Sequence, residues 1–545
     1  MSRPFSGAGM LSRWRPAVAA LVAVASVVIL SALVLVRSAP TPSGDAALSA
    51  ESASGSGAWT GDAARTVRAP SGTAPKRPIA RRCGRAGKQG PSKRPTGARR
   101  VTPAMNLPRM AANAPRGTTF WLTRGTHTLG NGEYDQVRPR RGQRFVGAPG
   151  AVIDGRRTNL YAFGGRAENV TVEHLTIQNF GRAGTTMNEG VVNHDAAHGW
   201  RVRNNTVRRN AGAGVFVGTD NVVSRNCLAY NGQYGFSVYE RTGVRRVKLT
   251  YNEITGNNTH DWERRRPGCG CTGGGKFWDT RRATIVGNWI HDNRSVGIWA
   301  DTNNTGFTIR RNYFARNDGP ALMYETSYNA RIVRNTFVRN AIRDGRRERG
   351  FPTAAIYLSE SGSDPRAGER YGRTFRIAGN RFVDNWSALI AWENADRFAG
   401  SPANTSSDYT TLVNPRVATV KACSDPDKIA RKPYYDDCRW KVKNLLVHHN
   451  VIRFDPARMP DACRPGRGCG YVGLFSNWGS YPSWSPYKGL SVERAITFRQ
   501  NNRWVKNRYV GPTRFMAREL WKTVSWKSWR AAPFRQDRGS VKVRR

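Results

Sequence analysis

Six apolar or aromatic runs in the middle of the chain each end on a carboxylate: Tyr239-Glu240, Trp278-Asp279, Trp299-Ala300-Asp301, Met323-Tyr324-Glu325, Tyr357-Leu358-Ser359-Glu360 and Ala391-Trp392-Glu393. If these runs are neighbouring strands, carboxylates one strand apart stand about 5 Å apart and those two strands apart about 9.5 Å. Those separations bracket retaining and inverting glycoside hydrolysis. Crowded carboxylates also push one pKa up, which leaves a proton donor beside an ionised partner. Asp301 and Glu325 are the expected acid/base or acid/nucleophile pair, with Asp279 as substitute partner. Trp278, Trp299, Tyr357 and Trp392 offer flat apolar faces for sugar rings, and Glu240, Glu360 and Glu393 extend the polar lining. Lys276, in Gly273-Gly274-Gly275-Lys276-Phe277-Trp278, is expected to point outward with Trp278 and orient a substrate, its glycines permitting close approach.

The elements that must position these residues are set by a repeat. An Asn-x-apolar-x-x-Asn cassette recurs at Asn205/Asn210, Asn226/Asn231, Asn252/Asn257, Asn288/Asn293, Asn312/Asn317, Asn335/Asn340, Asn380/Asn385 and Asn502/Asn507. Its uninterrupted steps are 21, 24 and 23 residues (Asn205 to Asn226, Asn288 to Asn312, Asn312 to Asn335), one solenoid turn of three short strands. Runs alternating with period two, such as Phe307-Thr308-Ile309 before a cassette and Gly297-Ile298-Trp299-Ala300 after one, read as strands. Stacked at about 4.8 Å, the asparagines are expected to sit in left-handed corners and pair their amides from coil to coil. Alternation aims Ile298, Ala300, Leu322 and Tyr324 inward, and Trp299, Asp301, Met323 and Glu325 outward. Glu240, Glu360 and Glu393 fall one position later, in the turn.

This pattern resembles the parallel β-helix of the pectin-lyase-like superfamily. The likeness runs over roughly residues 105 to 510, from Pro115-Arg116-Gly117-Thr118-Thr119-Phe120 and Phe145-Val146-Gly147 through Asp154-Gly155, and ends near Gln536-Asp537. It implies an all-β, right-handed parallel β-helix: a single solenoid of about ten coils with three strands each, its asparagine ladder between the second and third strands. Many carbohydrate-active members of that superfamily use the first-strand face and its flanking turns. Residues 258 to 275, 341 to 353 and 456 to 470 fall between third and first strands, and 394 to 439 follows a first strand, so these insertions flank that face.

Outside the solenoid, residues 1 to 37 contain an apolar run (16 to 36) preceded by Arg3, Arg13 and Arg15. It reads as a signal anchor or signal peptide, with the remainder outside the membrane. Residues 38 to 103, rich in Ala, Gly, Pro and Ser and then basic, read as a disordered linker. Residues 104 to 510 are assigned to the β-helix, and 511 to 545 to a basic aromatic tail on the last coil. Eight cysteines in an exported chain favour disulfides. Cys423 with Cys438 and Cys463 with Cys469 close short insertion loops, Cys269 and Cys271 also lie close, and Cys227 is expected to be a small buried residue. No clustered Cys/His set points to zinc, and His260, His291, His448 and His449 read as turn or surface histidines.

The chain carries 87 Lys and Arg against 38 Asp and Glu, a formal charge of +49. The Arg is scattered over turns and outward strand positions, without a basic helix or RNA-binding signature, which disfavours nucleic acid and favours a polysaccharide or anionic glycan as partner. Three functions remain open. One is a polysaccharide hydrolase, which needs no cofactor. Another is a polysaccharide lyase, in which Lys276 is the base and Asp279, Asp301 and Glu325 hold Ca²⁺. The last is a non-catalytic glycan-binding or surface protein, whose turn acids form only ion pairs.

Overall fold

The computed structural model describes residues 74–84, 89–186, 190–267, 269–347, 352–368, 370–404, 408–460, 463, 468–477 and 482–543. Strands of mostly three or four residues stack into three long sheets: ten strands in the first-strand sheet, all parallel but the last, and thirteen parallel strands in each of the others. The solenoid is therefore longer than the ten coils expected. A three-residue strand buries one or two inward side chains, so a coil is stable only against its neighbours. The register puts like on like: Val202, Val223, Leu249, Ile285, Ile309, Ile332 and Ile377 pair in succession along the second-strand sheet, all buried. Phe314, Phe337 and Phe382 stack in the third-strand sheet with ring centroids 5.0 and 4.9 Å apart.

Asparagines 226, 288, 312, 335 and 380 stack at one corner, as the spacing predicts. Each Nδ2 donates to the Oδ1 of the Asn one coil on (Asn288 to Asn312, 3.0 Å; Asn312 to Asn335, 3.0 Å) and to a backbone carbonyl behind it. The Oδ1 also accepts the backbone N–H of the preceding Asn, which satisfies a buried amide on both sides. Three details differ from expectation. The second Asn of each cassette builds its own ladder, Asn210 to Asn385, at the far end of the third strand. The left-handed residue is the one before the ladder Asn, such as Arg225 (φ 53°), Gly287 (68°) or Arg311 (55°), so the Asn supplies hydrogen bonds while its neighbour makes the turn. Asn507 continues the first ladder through Asn450, which the cassette pattern misses, whereas Asn502 caps a different corner.

Both ends depart from the expected boundaries. Arg99–Val101 is already a strand, paired with Thr119–Leu122, and residues 74–84 lie along the third-strand sheet. There Cys83 is joined to Cys227, so Cys227 is a staple for the segment preceding the coils. Glu253 accepts the backbone N–H groups of Arg82 and Cys83 (2.7 Å for Cys83). At the other end, Arg514–Glu519 and Val541–Val543 add strands to the first- and third-strand sheets. Buried Asp537 takes the place of the next ladder residue, accepting from Asn507 Nδ2 (3.0 Å), Tyr509 OH (2.7 Å) and Trp529 Nε1 (2.8 Å). The expected pairs Cys423–Cys438 and Cys463–Cys469 are both formed, as is Cys269–Cys271. The apolar run at 16 to 36 lies outside the described residues. Among those described, no helix is long and apolar enough to cross a membrane.

Candidate functional site

In the first-strand sheet, Ile298 pairs with Leu322 and Ala300 with Tyr324, all four in the core, so Asp301 and Glu325 stack on the outer face. Asp279 does not join them. Phe277 pairs with Ala300 and the Asp279 N–H bonds the Thr302 carbonyl, so Asp279 stands one position beyond Asp301. Glu240 falls level with Asp279, and Glu360 with Glu393, since Val238 pairs with Phe277 and Ser359 with Trp392. The face thus carries two offset acid rows. Lys276 pairs with Trp299 and points outward as predicted.

Cations close these rows. Lys276 Nζ lies 2.8 Å from Asp301 Oδ2, donates to the Gly270 carbonyl (3.2 Å) and sits 4.1 Å over the Trp299 ring. Trp299 Nε1 donates to Glu325 Oε2 (3.1 Å), whose other oxygen accepts from Arg397 Nη1 (2.6 Å). The same guanidinium nitrogen reaches Glu360 Oε2 at 3.3 Å. Glu393 is bound by Arg439, the Val442 N–H and Gln500. Burial raises the Glu325 pKa; Arg397 opposes that shift and the neighbouring Asp301 charge adds to it. Arg397 and Arg439 come from the 394–439 insertion and escaped the sequence reading. In a chain so rich in Arg, neither has a local signature.

The insertion also closes most of the face. Asp301 is 3% exposed, Glu325 5% and Arg397 7%. Trp299 and Trp392 are buried, so these two rings are wall and not platform, while Tyr357 packs edge-on to Trp392 at 6.2 Å and stays partly exposed. The end nearer the N-terminus stays partly open: Trp278 against Tyr239 (6.2 Å), Lys276, Asp279, and Glu240 with His198 at 3.4 Å. Burial raises the Asp279 pKa, against the pull of Arg281 and Arg245. Among the described residues no three His, Cys, Asp or Glu side chains converge as a metal site would require. Asp301 and Glu325 instead meet Lys276 and Arg397.

A family model described as the right-handed beta helix region matches residues 151–272 and 189–399. Over those residues the chain matches a right-handed β-helix, in keeping with its three stacked sheets of parallel strands. No curated protein matches it. Similar solved structures include the A-module of a mannuronan C-5 epimerase of Azotobacter vinelandii (16% identity, TM-score 0.36, 53% of this chain and 86% of that one). Two others are the catalytic domain of Agl-KA (11%, 0.41, 84% and 70%) and the PL6 family alginate lyase AlyGC (11%, 0.37, 78% and 55%). With TM-scores below 0.5, these likenesses leave the argument to the strand pairing and the side chains.

Proposed function

We propose that this is an exported, carbohydrate-active β-helix protein that engages a polysaccharide at the half-open end of the first-strand face. The observation that carries the reading is the change along that face. Trp278 and Tyr239 stay partly exposed beside Lys276 and Asp279, while Trp299 and Asp301 one coil on and Glu325 two coils on are closed over. A partly exposed aromatic pair next to a cation and a carboxylate suits the apolar faces and hydroxyls of sugars. Eight cysteines in four disulfides fit an oxidising, extracellular compartment. A glycan array tests the binding: Trp278→Ala should abolish retention on the glycans the protein selects. Retention unaffected by that change would sink the reading.

Hydrolysis by Asp301 and Glu325 is a second reading, favoured by the raised Glu325 pKa beside the Asp301 carboxylate. It requires Arg397 to leave Glu325 when substrate enters. Asp301→Asn and Glu325→Gln should then each remove most turnover without unfolding the chain, and products should carry new reducing ends. Unsaturated ends, lost with Lys276→Ala and dependent on Ca²⁺, would instead mark a lyase. If both acid variants lose stability and no product forms with the unmodified protein, the acids serve only to hold the insertion.

A further inference from the structure

A cavity of about 360 Å³ opens at the corner between the third- and first-strand sheets, lined by Arg157, Arg209, Asn210, Tyr230, Thr259 and His260. Arg209 and Tyr230 each stand just before a ladder Asn, in left-handed backbone (φ 55° and 56°), and both are exposed, Tyr230 by 53%. The next coil has Gly256 at this corner. A Cβ there would meet the Tyr230 ring at 2.5 Å, so the glycine makes room for the ring. From the 258–275 insertion, His260 closes one side, and the Gly184 N–H donates to its Nδ1 at 3.2 Å.

The arginines here meet little opposing charge. Further along the same corner, Arg316 is neutralised by Asp292 through two hydrogen bonds of 2.8 and 2.7 Å. Arg157 and Arg209 form no such ion pair among the described residues. Asp154, whose charge reaches Arg157, is occupied by Gln178 (3.0 Å), Asn179 (2.9 Å) and the Arg156 N–H (2.8 Å). The Arg157 pKa is lowered by burial and by Arg209, against Asp154. That of His260 is lowered by burial, then by Arg265 and Arg157. An oxyanion between them would offset the repulsion among Arg157, Arg209 and His260.

We propose that this cavity binds an oxyanion carried on a sugar, the anionic substituent between Arg157 and Arg209 and the sugar ring against Tyr230. Guanidinium forks match carboxylate, sulfate and phosphate oxygens, the exposed phenol ring offers a face to the sugar's C–H bonds, and the volume suits a small ligand. The site shares with the preceding section only the premise that the ligand is a saccharide, and it lies on a different edge of the solenoid.

Calorimetric titration of the full chain with a uronate tetramer, a sulfated oligomer, a neutral oligomer of equal length and inorganic phosphate tests it. The charged oligomers should bind at least about tenfold tighter than the neutral one, a difference of about 1.4 kcal/mol. The preferred charged oligomer distinguishes a carboxylate from an ester. Arg157→Ala with Arg209→Ala should weaken that binding about tenfold or more. Tyr230→Ala should weaken oligomer binding and leave inorganic phosphate unchanged. Unaltered binding by the double Arg variant overturns the proposal, as does a preference for inorganic phosphate that ignores Tyr230. Should the double variant unfold, Arg209→Gln at the exposed corner carries the same test. Trp278→Ala separates the two sites: loss of charged oligomers with that change, but not with the double Arg variant, assigns them to the first-strand face.

Discussion

The first-strand face and the corner beside it treat charge in opposite ways. On the face, buried carboxylates are each met by a cation: Asp301 by Lys276, Glu325 and Glu360 by Arg397, Glu393 by Arg439. At the corner, Arg157, Arg209 and His260 gather around an open cavity with little opposing charge. Burying an ion without a partner costs several kcal/mol, whereas an exposed cation is solvated at small cost. Hence the buried acids of this face, in a chain with 87 Lys and Arg against 38 Asp and Glu, are consumed by Lys276 and by the two arginines of the 394–439 insertion. A conspicuous row of acids is thus a weaker sign of chemistry than an exposed, unpaired group of the opposite sign.

The largest effect that bears on this contrast is expected from Arg397→Ala. It leaves Glu325 and Glu360 buried without their cation and should cost about 3–5 kcal/mol in urea unfolding. Adding Glu325→Gln should restore part of the loss. A cost below about 1 kcal/mol, the range of exposed pairs, would mean that the acid row is open to water and would revive it as a reaction site. At the corner the same kind of change should do the reverse: Arg157→Ala with Arg209→Ala relieves mutual repulsion, so thermal melting should hold or rise while affinity for charged oligomers falls.

A smaller effect follows from His260. Its folded pKa lies below the ordinary 6.5, so as pH falls through that value the unfolded chain binds the proton first and the fold loses stability. A bound oxyanion favours the imidazolium. The rise in melting temperature given by inorganic phosphate should therefore grow as pH is lowered from about 7.5 to about 5.5, and shrink in Arg209→Ala. A pH-independent rise would remove His260 from the site.

The solenoid, the stacking of Asp301 on Glu325, the outward turn of Lys276 and the disulfides Cys423–Cys438 and Cys463–Cys469 were legible in the amino-acid order, because each depends on a local period or a short loop. Alternation fixes which side of a strand a residue takes, and a repeated Asn fixes which coils align. Even so, the pattern left the one-position offset of Asp279 from Asp301 unread, and it missed Asn450, whose cassette has no second Asn. The staple of Cys83 to Cys227, the clasp of Arg397 on Glu325 and the corner cavity were decided by tertiary structure alone. The first two join residues 144 and 72 positions apart. The cavity needs Arg209, Tyr230 and Gly256 on successive turns, Arg157 two turns before Arg209, and an insertion that folds back over them. Such contacts depend on how many residues each coil and insertion holds before the chain returns to the same corner, and no repeat in the sequence encodes that length.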